Sequence, residues 1–167
     1  DSKSYSIIAS ENRKVIEDRA EILKNAEIIN LSKDEYDLWH SYVQTNCEDF
    51  LSEQYIGYNV KNDKAAVGLA YICNRAIKED RKIYLSGQGA DEIFSDYGMY
   101  GKMLMGANQS TFGGVFPDDL ETVYPWKNFF DGTMEMYIAK EEYVAGSFGI
   151  ETRYPYLDQE VVQEFLS

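Results

Sequence analysis

The residues best suited to chemistry lie between Lys82 and Tyr97, where glycine, hydroxyl and carboxylate groups follow one another closely. A short apolar run, Ile83 to Leu85, is typical of a buried strand, and it breaks at Ser-Gly-Gln-Gly over residues 86–89. Small and acidic residues from Ala90 to Phe94 then indicate the first turn of a helix. Glycine has no Cβ and tolerates positive φ, so such a turn lets the backbone approach a ligand closely. Ligands of open α/β sheets also bind at the carboxyl ends of strands.

The acidic pair Asp91 and Glu92 distinguishes this turn from a P-loop. No lysine follows the glycines, so the turn carries no cation of its own for a phosphate chain. Carboxylates beside a nucleotide make chemical sense when Mg²⁺ lies between them and the phosphate oxygens. The alternative is an ordinary strand–helix turn, because the helix dipole favours acidic residues at any helix N-terminus. The spacing alone does not decide between the two.

Composition and charge limit the classes of protein to which the chain can belong. Its length is enough for one domain with a sizeable core, so residues 1–167 are predicted to form a single domain. A net charge of -13 argues against nonspecific binding to nucleic acid or to anionic membranes. No apolar run is long enough to span a bilayer, and Cys47 and Cys73 are predicted to be reduced structural thiols. A cytoplasmic protein is therefore expected.

Helices and a strand precede the turn in the predicted order. Ser32 and Glu35 have the spacing of a capping box, and Asn62 or Asp63 is the predicted cap of a later helix. That helix leads into the strand at Lys82, so helix, strand, turn and helix follow one another as in a parallel α/β layer. The predicted elements are helices over residues 11–26, 32–51 and 62–80 and strands over residues 27–31 and 83–85.

After the turn the pattern becomes irregular and then helical again. The glycine-rich stretch from Gly98 to Pro117 is predicted to be a long loop. A helical pattern begins at about Tyr124, and Asp158 is the predicted cap of a last helix, Gln159 to Leu166. The candidate core residues of the middle helix are Phe129, Phe130, Met134, Tyr137, Ile138 and Val144.

Three polar residues outside the turn are singled out by their type. His40 lies beside an apolar stripe and has no ligand cluster around it, so we expect a packing or surface residue. Glu151 and Arg153 lie two apart in an extended stretch before Pro155. We expect that they do not face each other and that each finds another partner.

Two segments of the chain resemble one known family. Residues 86–94, Ser-Gly-Gln-Gly-Ala-Asp-Glu-Ile-Phe, resemble the Ser-Gly-Glu-Gly-Ala/Ser-Asp-Glu signature in the synthetase domain of glutamine-dependent asparagine synthetases. Residues 148–158, Phe-Gly-Ile-Glu-Thr-Arg-Tyr-Pro-Tyr-Leu-Asp, resemble a second segment of that family. Two motifs in the right order are more specific than either one. The resemblance implies a helix-rich α/β fold, the layer of adenine-nucleotide alpha-hydrolases, whose parallel sheet is incomplete in this chain.

The resemblance also implies a reaction. The chain would be part of an ATP-dependent asparagine synthetase (glutamine-hydrolysing), which activates aspartate as an acyl-adenylate for amidation by ammonia. Matched by motif, Ser86 and Gly87 would contact the nucleotide, Asp91 would ligate Mg²⁺, and Glu151 and Arg153 would lie beside the substrate pocket. The implied partners are ATP, Mg²⁺, a carboxylate substrate such as aspartate, and a glutaminase domain of the same longer chain.

Gln88 departs from the family pattern at a catalytic position. The family has a glutamate or aspartate there, thought to act as a general base, and an amide cannot take up a proton at neutral pH. A base could come from Glu141 or Glu142, although a solvated helix face is the plainer interpretation of these two residues. The alternatives are a related ligase acting on another carboxylate (a peptide, a sugar acid or a lactam precursor) and a noncatalytic remnant of the fold.

The amino-terminal part of the chain lacks another family feature. Nothing in residues 1–31 matches the family's Ser-Gly-Gly-x-Asp-Ser pyrophosphate loop. We therefore expect the chain to be a fragment that cannot make asparagine by itself.

Overall fold

The computed structural model describes residues 2–8, 12–50, 58–104, 110–130 and 132–167. Within these residues, five α-helices and six short strands form the helix-rich α/β fold that the sequence predicts. None of these helices combines the length and the apolar character needed to cross a membrane. The helices are α1 (Arg13–Ile22), α2 (Lys33–Asn46), α3 (Lys64–Lys78), α4 (Thr133–Gly146) and α5 (Gln159–Leu166), and the strands are β1 (Ser4–Ile7), β2 (Ala26–Ile29), β3 (Ile83–Leu85), β4 (Gly98–Met99), β5 (Lys102–Met103) and β6 (Glu151–Arg153).

The strands of the described residues form three two-stranded sheets. β1 pairs with β2 and β3 pairs with β6, both in parallel, whereas β4 and β5 form an antiparallel hairpin. Parallel neighbours need a crossover connection, which α1 provides between β1 and β2. The parallel pairs confirm the α/β class. β1 itself is absent from the sequence prediction, because the first ten residues show no clear period.

α2 and α3 begin where their capping residues predict. The Ser32 hydroxyl accepts a hydrogen bond from the Glu35 N–H at 3.3 Å, and the Glu35 carboxylate accepts one from the Ser32 N–H at 2.9 Å. These two bonds complete the predicted capping box. Asp63 caps α3 by accepting a backbone N–H two residues further on at 2.7 Å. α2 ends at Asn46, before its predicted end at residue 51, which lies outside the described part of the chain.

One core cluster joins α2, α3 and α4. The side of α3 that faces its neighbours carries Ala66 and Ala70, both fully buried, so the helices can approach closely. Cys47 and Cys73 lie in the same cluster as free, buried thiols, as predicted. Burial raises the pKa of the Cys73 thiol to about 12, which keeps it protonated and unreactive at neutral pH.

A second, aromatic cluster fastens the segment that follows β3. The ring of Trp126 lies 5.2 Å from that of Phe116, and its Nε1 donates a hydrogen bond to the Glu92 carbonyl at 3.0 Å. Phe165 of α5 packs on Phe94 with ring centroids 4.7 Å apart. α5 and the region before α4 therefore pack on the segment after β3 from two sides.

Asp96 organises the stretch that the sequence predicts to be an irregular loop. Its carboxylate is fully buried and accepts hydrogen bonds from the Ser110 hydroxyl at 3.0 Å and the Phe112 N–H at 2.7 Å. Its backbone has a φ of 48°, which ends the preceding helical segment. The β4–β5 hairpin follows, so the stretch is more regular than predicted, although residues 105–109 lie outside the described part.

Besides α2, two predicted helices are longer than the observed ones. The helix expected from about Tyr124 begins at Thr133, and Phe130, a predicted core residue, is 62% exposed. Gly132, with a φ of 70°, marks the boundary that the apolar period overlooks. α1 spans ten residues, and Ile16 is its buried residue. His40 stacks on a tyrosine one turn earlier in α2, in agreement with a packing role.

Candidate active site

The two sequence motifs meet at the carboxyl ends of β3 and β6. In this parallel pair Ile83 lies beside Glu151 and Leu85 beside Arg153. The pairing extends one residue further, because the Ser86 N–H donates to the Arg153 carbonyl at 2.9 Å. Both segments then turn at the same end of the sheet, which is the end where ligands of α/β proteins bind. Two stretches far apart in the sequence thus form one site.

The two glycines of the turn have different functions. Gly89 has a φ of 99°, and a Cβ on it would lie 2.4 Å from Cδ2 of Leu157 in the second motif. This position therefore requires glycine for both its conformation and its packing. Gly87 is exposed, and a Cβ there would meet nothing within 4 Å. The open space above Gly87 is where a ligand can approach the backbone.

Ser86, a predicted nucleotide contact, is a buried residue that closes the turn. It is 4% exposed, and its Oγ accepts a hydrogen bond from the Gln88 N–H at 3.0 Å. The same polar hydroxyl favours the charged form of the neighbouring Glu141 carboxyl by lowering its pKa. Ser86 therefore shapes the turn whether or not a ligand is bound.

The acidic pair is divided between solvent and core. It lies in a short π-helical segment, Ala90–Ser95, in place of the longer helix that the sequence suggests. Asp91 is exposed, whereas Glu92 is 1% exposed. Glu92 Oε2 accepts a hydrogen bond from the Gly89 N–H at 2.8 Å, and its Oε1 accepts one from the Tyr97 hydroxyl. Glu92 thus stabilises the turn, and Asp91 is the carboxylate of the pair that a ligand can reach.

The structure corrects the interpretation of Glu141 as part of a solvated helix face. Glu141 is 5% exposed, whereas Glu142 is exposed as expected. Its Oε1 accepts hydrogen bonds from Gln88 Nε2 and from the Tyr84 hydroxyl, both at 3.3 Å. Its Oε2 is buried without a hydrogen-bond partner among the described residues. Burial raises the pKa of the Glu141 carboxyl, and the neighbouring polar side chains of Ser86 and Gln88 partly oppose this rise.

The spacing of apolar residues in α4 could have predicted that Glu141 is buried. Met134, Ile138 and Ala145 lie seven and three residues before Glu141 and four residues after it, on the same helix face. Met134 and Ala145 are buried. An acidic residue within an apolar stripe indicates a buried polar contact, and here that contact is with the turn after β3.

Glu151 and Arg153 pair with each other, so the expectation of separate partners is wrong. Arg153 Nε lies 2.8 Å from Glu151 Oε1. Alternate residues of a strand point to the same face, so a separation of two favours this contact. The side chains are 55% exposed for Arg153 and 62% exposed for Glu151, and exposed pairs contribute little to stability. The pair can therefore open for a ligand at little cost.

A groove with a volume of about 1110 Å³ runs along β3 beside the candidate site. Its walls include Tyr5 of β1 and Arg153 of β6. Ile83 and Leu85 also line it and are 51% and 62% exposed. The groove thus brings open space to the Arg153 side of the two motifs.

The donor groups at the turn suit a metal–nucleotide complex better than a metal alone. Among the described residues, no three or more His, Cys, Asp and Glu side chains cluster closely enough to hold a metal ion. Mg²⁺ is commonly bound by one or two carboxylates, with phosphate oxygens and water completing its shell. The exposed Asp91 beside the open backbone at Gly87 fits that arrangement.

Comparison with known proteins finds a matching family and a similar named protein. The asparagine synthase family matches residues 18–121, which include the first motif and end before the second. A protein of Methanocaldococcus jannaschii named "Putative asparagine synthetase (glutamine-hydrolyzing) 1" is 28% identical over 106 residues. That match covers 62% of this chain and 18% of the relative, so the chain spans only a small part of the relative's length.

Proposed function

Because the chain belongs to the asparagine synthase family, we propose that it forms the nucleotide and acceptor site of an ATP-dependent, glutamine-hydrolysing asparagine synthetase. The family uses ATP. In the proposed reaction aspartate is activated as an acyl-adenylate with release of pyrophosphate. Ammonia then attacks the acyl carbon, AMP leaves, and the nitrogen loses a proton to water to give the amide. The observation that carries the proposal is the junction of the two motifs at the carboxyl ends of β3 and β6.

Each residue at this junction has a proposed role. The backbone at Gly87 approaches the nucleotide, and the buried Ser86 holds the turn in place for it. Arg153, once released from Glu151, provides a guanidinium for the substrate carboxylate, a pairing that is strong and directional. Asp91 would hold Mg²⁺, and that ion would supply positive charge to the phosphate groups of the nucleotide.

The surroundings of the site follow from the same proposal. We propose that residues 1–167 fold as one domain, and that ammonia comes from a glutaminase domain elsewhere in a longer, cytoplasmic protein. The 167-residue chain by itself is then expected to form no asparagine.

Gln88 supports a second candidate function. Because this residue cannot act as a base, the site suits a related ligase that acts on another carboxylate, such as a peptide, a sugar acid or a lactam precursor. A noncatalytic remnant of the fold is the third possibility. Formation of AMP from ATP, measured with aspartate and then with each of these carboxylates, separates the three, because a remnant forms AMP with none of them.

Replacing Asp91 by asparagine is expected to lower Mg²⁺-dependent ATP–pyrophosphate exchange by about a hundredfold in the full-length gene product, because the metal loses its charged protein ligand. Asp91 is exposed, so the free energy of unfolding should change by less than about 0.5 kcal/mol. Exchange is measured with labelled pyrophosphate at several Mg²⁺ concentrations. The control is Asp118→Asn, at another exposed aspartate. Equal exchange by the two variants would contradict the role of Asp91.

A further inference from the structure

Gln88 replaces the glutamate or aspartate that is thought to act as a general base in the family. Its contact with Glu141 indicates how the site can still bind a nitrogen nucleophile. We propose that Glu141 is a positioning residue, which holds the Gln88 amide so that the amide oxygen binds the N–H groups of ammonia or an amine. This inference rests on the proposed function and adds a specific role for two residues of the site.

The hydrogen bond fixes the orientation of the Gln88 amide. An ionised carboxylate only accepts hydrogen bonds, so the Gln88 NH₂ group faces Glu141, with Nε2 3.3 Å from Oε1. The carbonyl oxygen of the planar amide then lies on the other side, away from Glu141. Ser86 is buried, Gly87 is exposed and Gln88 is half-buried. Gln88 can therefore contact buried Glu141 and a ligand on the open side of the turn at the same time.

The charge of Glu141 acts through this amide. Hydrogen bonds in series polarise one another, so a carboxylate that accepts from the NH₂ group makes the amide oxygen a better acceptor. An oxygen with this added negative charge stabilises the positive charge that develops on an attacking nitrogen. No proton moves to Gln88, and Glu141 contributes without touching the substrate.

The burial of Glu141 favours positioning over direct proton transfer. Glu141 is 5% exposed, and its Oε1 already accepts hydrogen bonds from Gln88 and Tyr84, so protein groups separate the carboxylate from the open side of the turn. Lys140, the preceding residue in α4, lies 3.7 Å from Asp63, and its charge also favours the ionised form of Glu141 by lowering the pKa of that carboxyl. The Glu141 carboxylate thus stays buried beneath the turn, and it affects a ligand on the open side by polarising the Gln88 amide.

The test separates activation of the acceptor from transfer of nitrogen. In the full-length protein, Glu141→Gln is expected to keep ATP–pyrophosphate exchange within about twofold of wild type. Amide formation from ammonium chloride should fall by about tenfold to a hundredfold, mainly through a higher KM for ammonium, because a charge-assisted hydrogen bond is lost. Glu135→Gln, at an exposed glutamate of the same helix, serves as the matched control and should leave both steps unchanged.

A charge-exchange variant makes the test sharper. Gln88→Glu alone would place two carboxylates in contact, so amide formation should decrease and its pH profile should shift upward. Adding Glu141→Gln to Gln88→Glu restores one carboxylate and one amide. The double variant should then be more active, relative to wild type, than the product of the relative activities of the two single variants. Strictly additive effects of the two substitutions would overturn the inference.

A direct observation of the amide completes the test without relying on activity. In the ¹⁵N-labelled 167-residue chain, the NH₂ resonances of Gln88 should be displaced from solvent-exposed values and should move toward them in Glu141→Ala. Solvent-like resonances in the wild-type chain would overturn the inference. If the full-length protein shows no exchange, the proposed function fails, and the NMR result still decides whether Glu141 orients Gln88. Wild-type exchange together with unchanged ammonium dependence in Glu141→Gln would contradict the inference alone.

Discussion

Replacing Gly89 by alanine is expected to lower the free energy of unfolding by about 3–5 kcal/mol, because strain and overlap add at one position. Gly89 has a φ of 99°, which residues with a Cβ rarely adopt. The new methyl group would lie 2.4 Å from Leu157 Cδ2 and 3.3 Å from Tyr156 Cβ, so the Leu157 side chain would have to shift in addition to the backbone strain. Urea unfolding of the 167-residue chain, followed by tryptophan fluorescence, measures this change.

Gly87→Ala is the matched control, since its Cβ meets no atom within 4 Å. It should alter the free energy of unfolding by less than about 1 kcal/mol. If the backbone at Gly87 approaches a nucleotide, this control should nevertheless weaken ATP binding. Equal stability of the Gly89→Ala and Gly87→Ala chains would show that the packing of Gly89 against the second motif is not as described.

Replacing Glu92 by alanine is expected to cost about 2–4 kcal/mol of stability, the second large effect. The substitution leaves the Gly89 N–H and the Tyr97 hydroxyl, which both bond to this carboxylate, without an acceptor. Gly89 and Tyr97 are buried, so water cannot readily replace the lost acceptor. Thermal and urea unfolding of the variant chain measure the loss.

The neighbouring Asp91→Ala provides the comparison for this prediction. Asp91 is exposed, so its removal should change the free energy of unfolding by less than about 0.5 kcal/mol. Similar losses for the two variants would mean that the acidic pair is not divided between solvent and core. The comparison also distinguishes a carboxylate needed for stability, Glu92, from one proposed to bind Mg²⁺, Asp91.

The parts of the fold that depend on local sequence could be predicted. The capping box of Ser32 and Glu35 and the Asp63 cap rest on neighbouring residues, and both are present in the structure. The strand that ends at Leu85 is present too, but it is not buried as predicted, because Ile83 and Leu85 are more than half exposed. The turn over residues 86–89 is likewise placed correctly, because glycine and serine interrupt the strand pattern there.

Contacts between distant residues set the limit of the sequence prediction. The bond between Gln88 and Glu141 joins the turn after β3 to α4, and the packing of Gly89 on Leu157 joins two motifs. No local pattern determines which residues of two separate elements will touch. The error for Glu151 and Arg153 has another origin, because the two-residue period of a strand already places them on one face.

Gln88 and Glu141 bear directly on the departure from the family pattern. The turn lacks the carboxylate that the resemblance leads one to expect, and a buried carboxylate lies within hydrogen-bonding distance of the amide found in its place. If the proposed function is right, this carboxylate supplies the negative charge of the site through Gln88.

The most direct test of the central claim is ATP–pyrophosphate exchange by the full-length gene product with Mg²⁺. The turn after Leu85 and the Glu151–Arg153 segment should together activate a carboxylate as an adenylate. We therefore expect exchange that requires aspartate or another carboxylate and that is lost in Asp91→Asn. No exchange with aspartate or any carboxylate tested, or exchange that is equally fast without Asp91, would contradict the account.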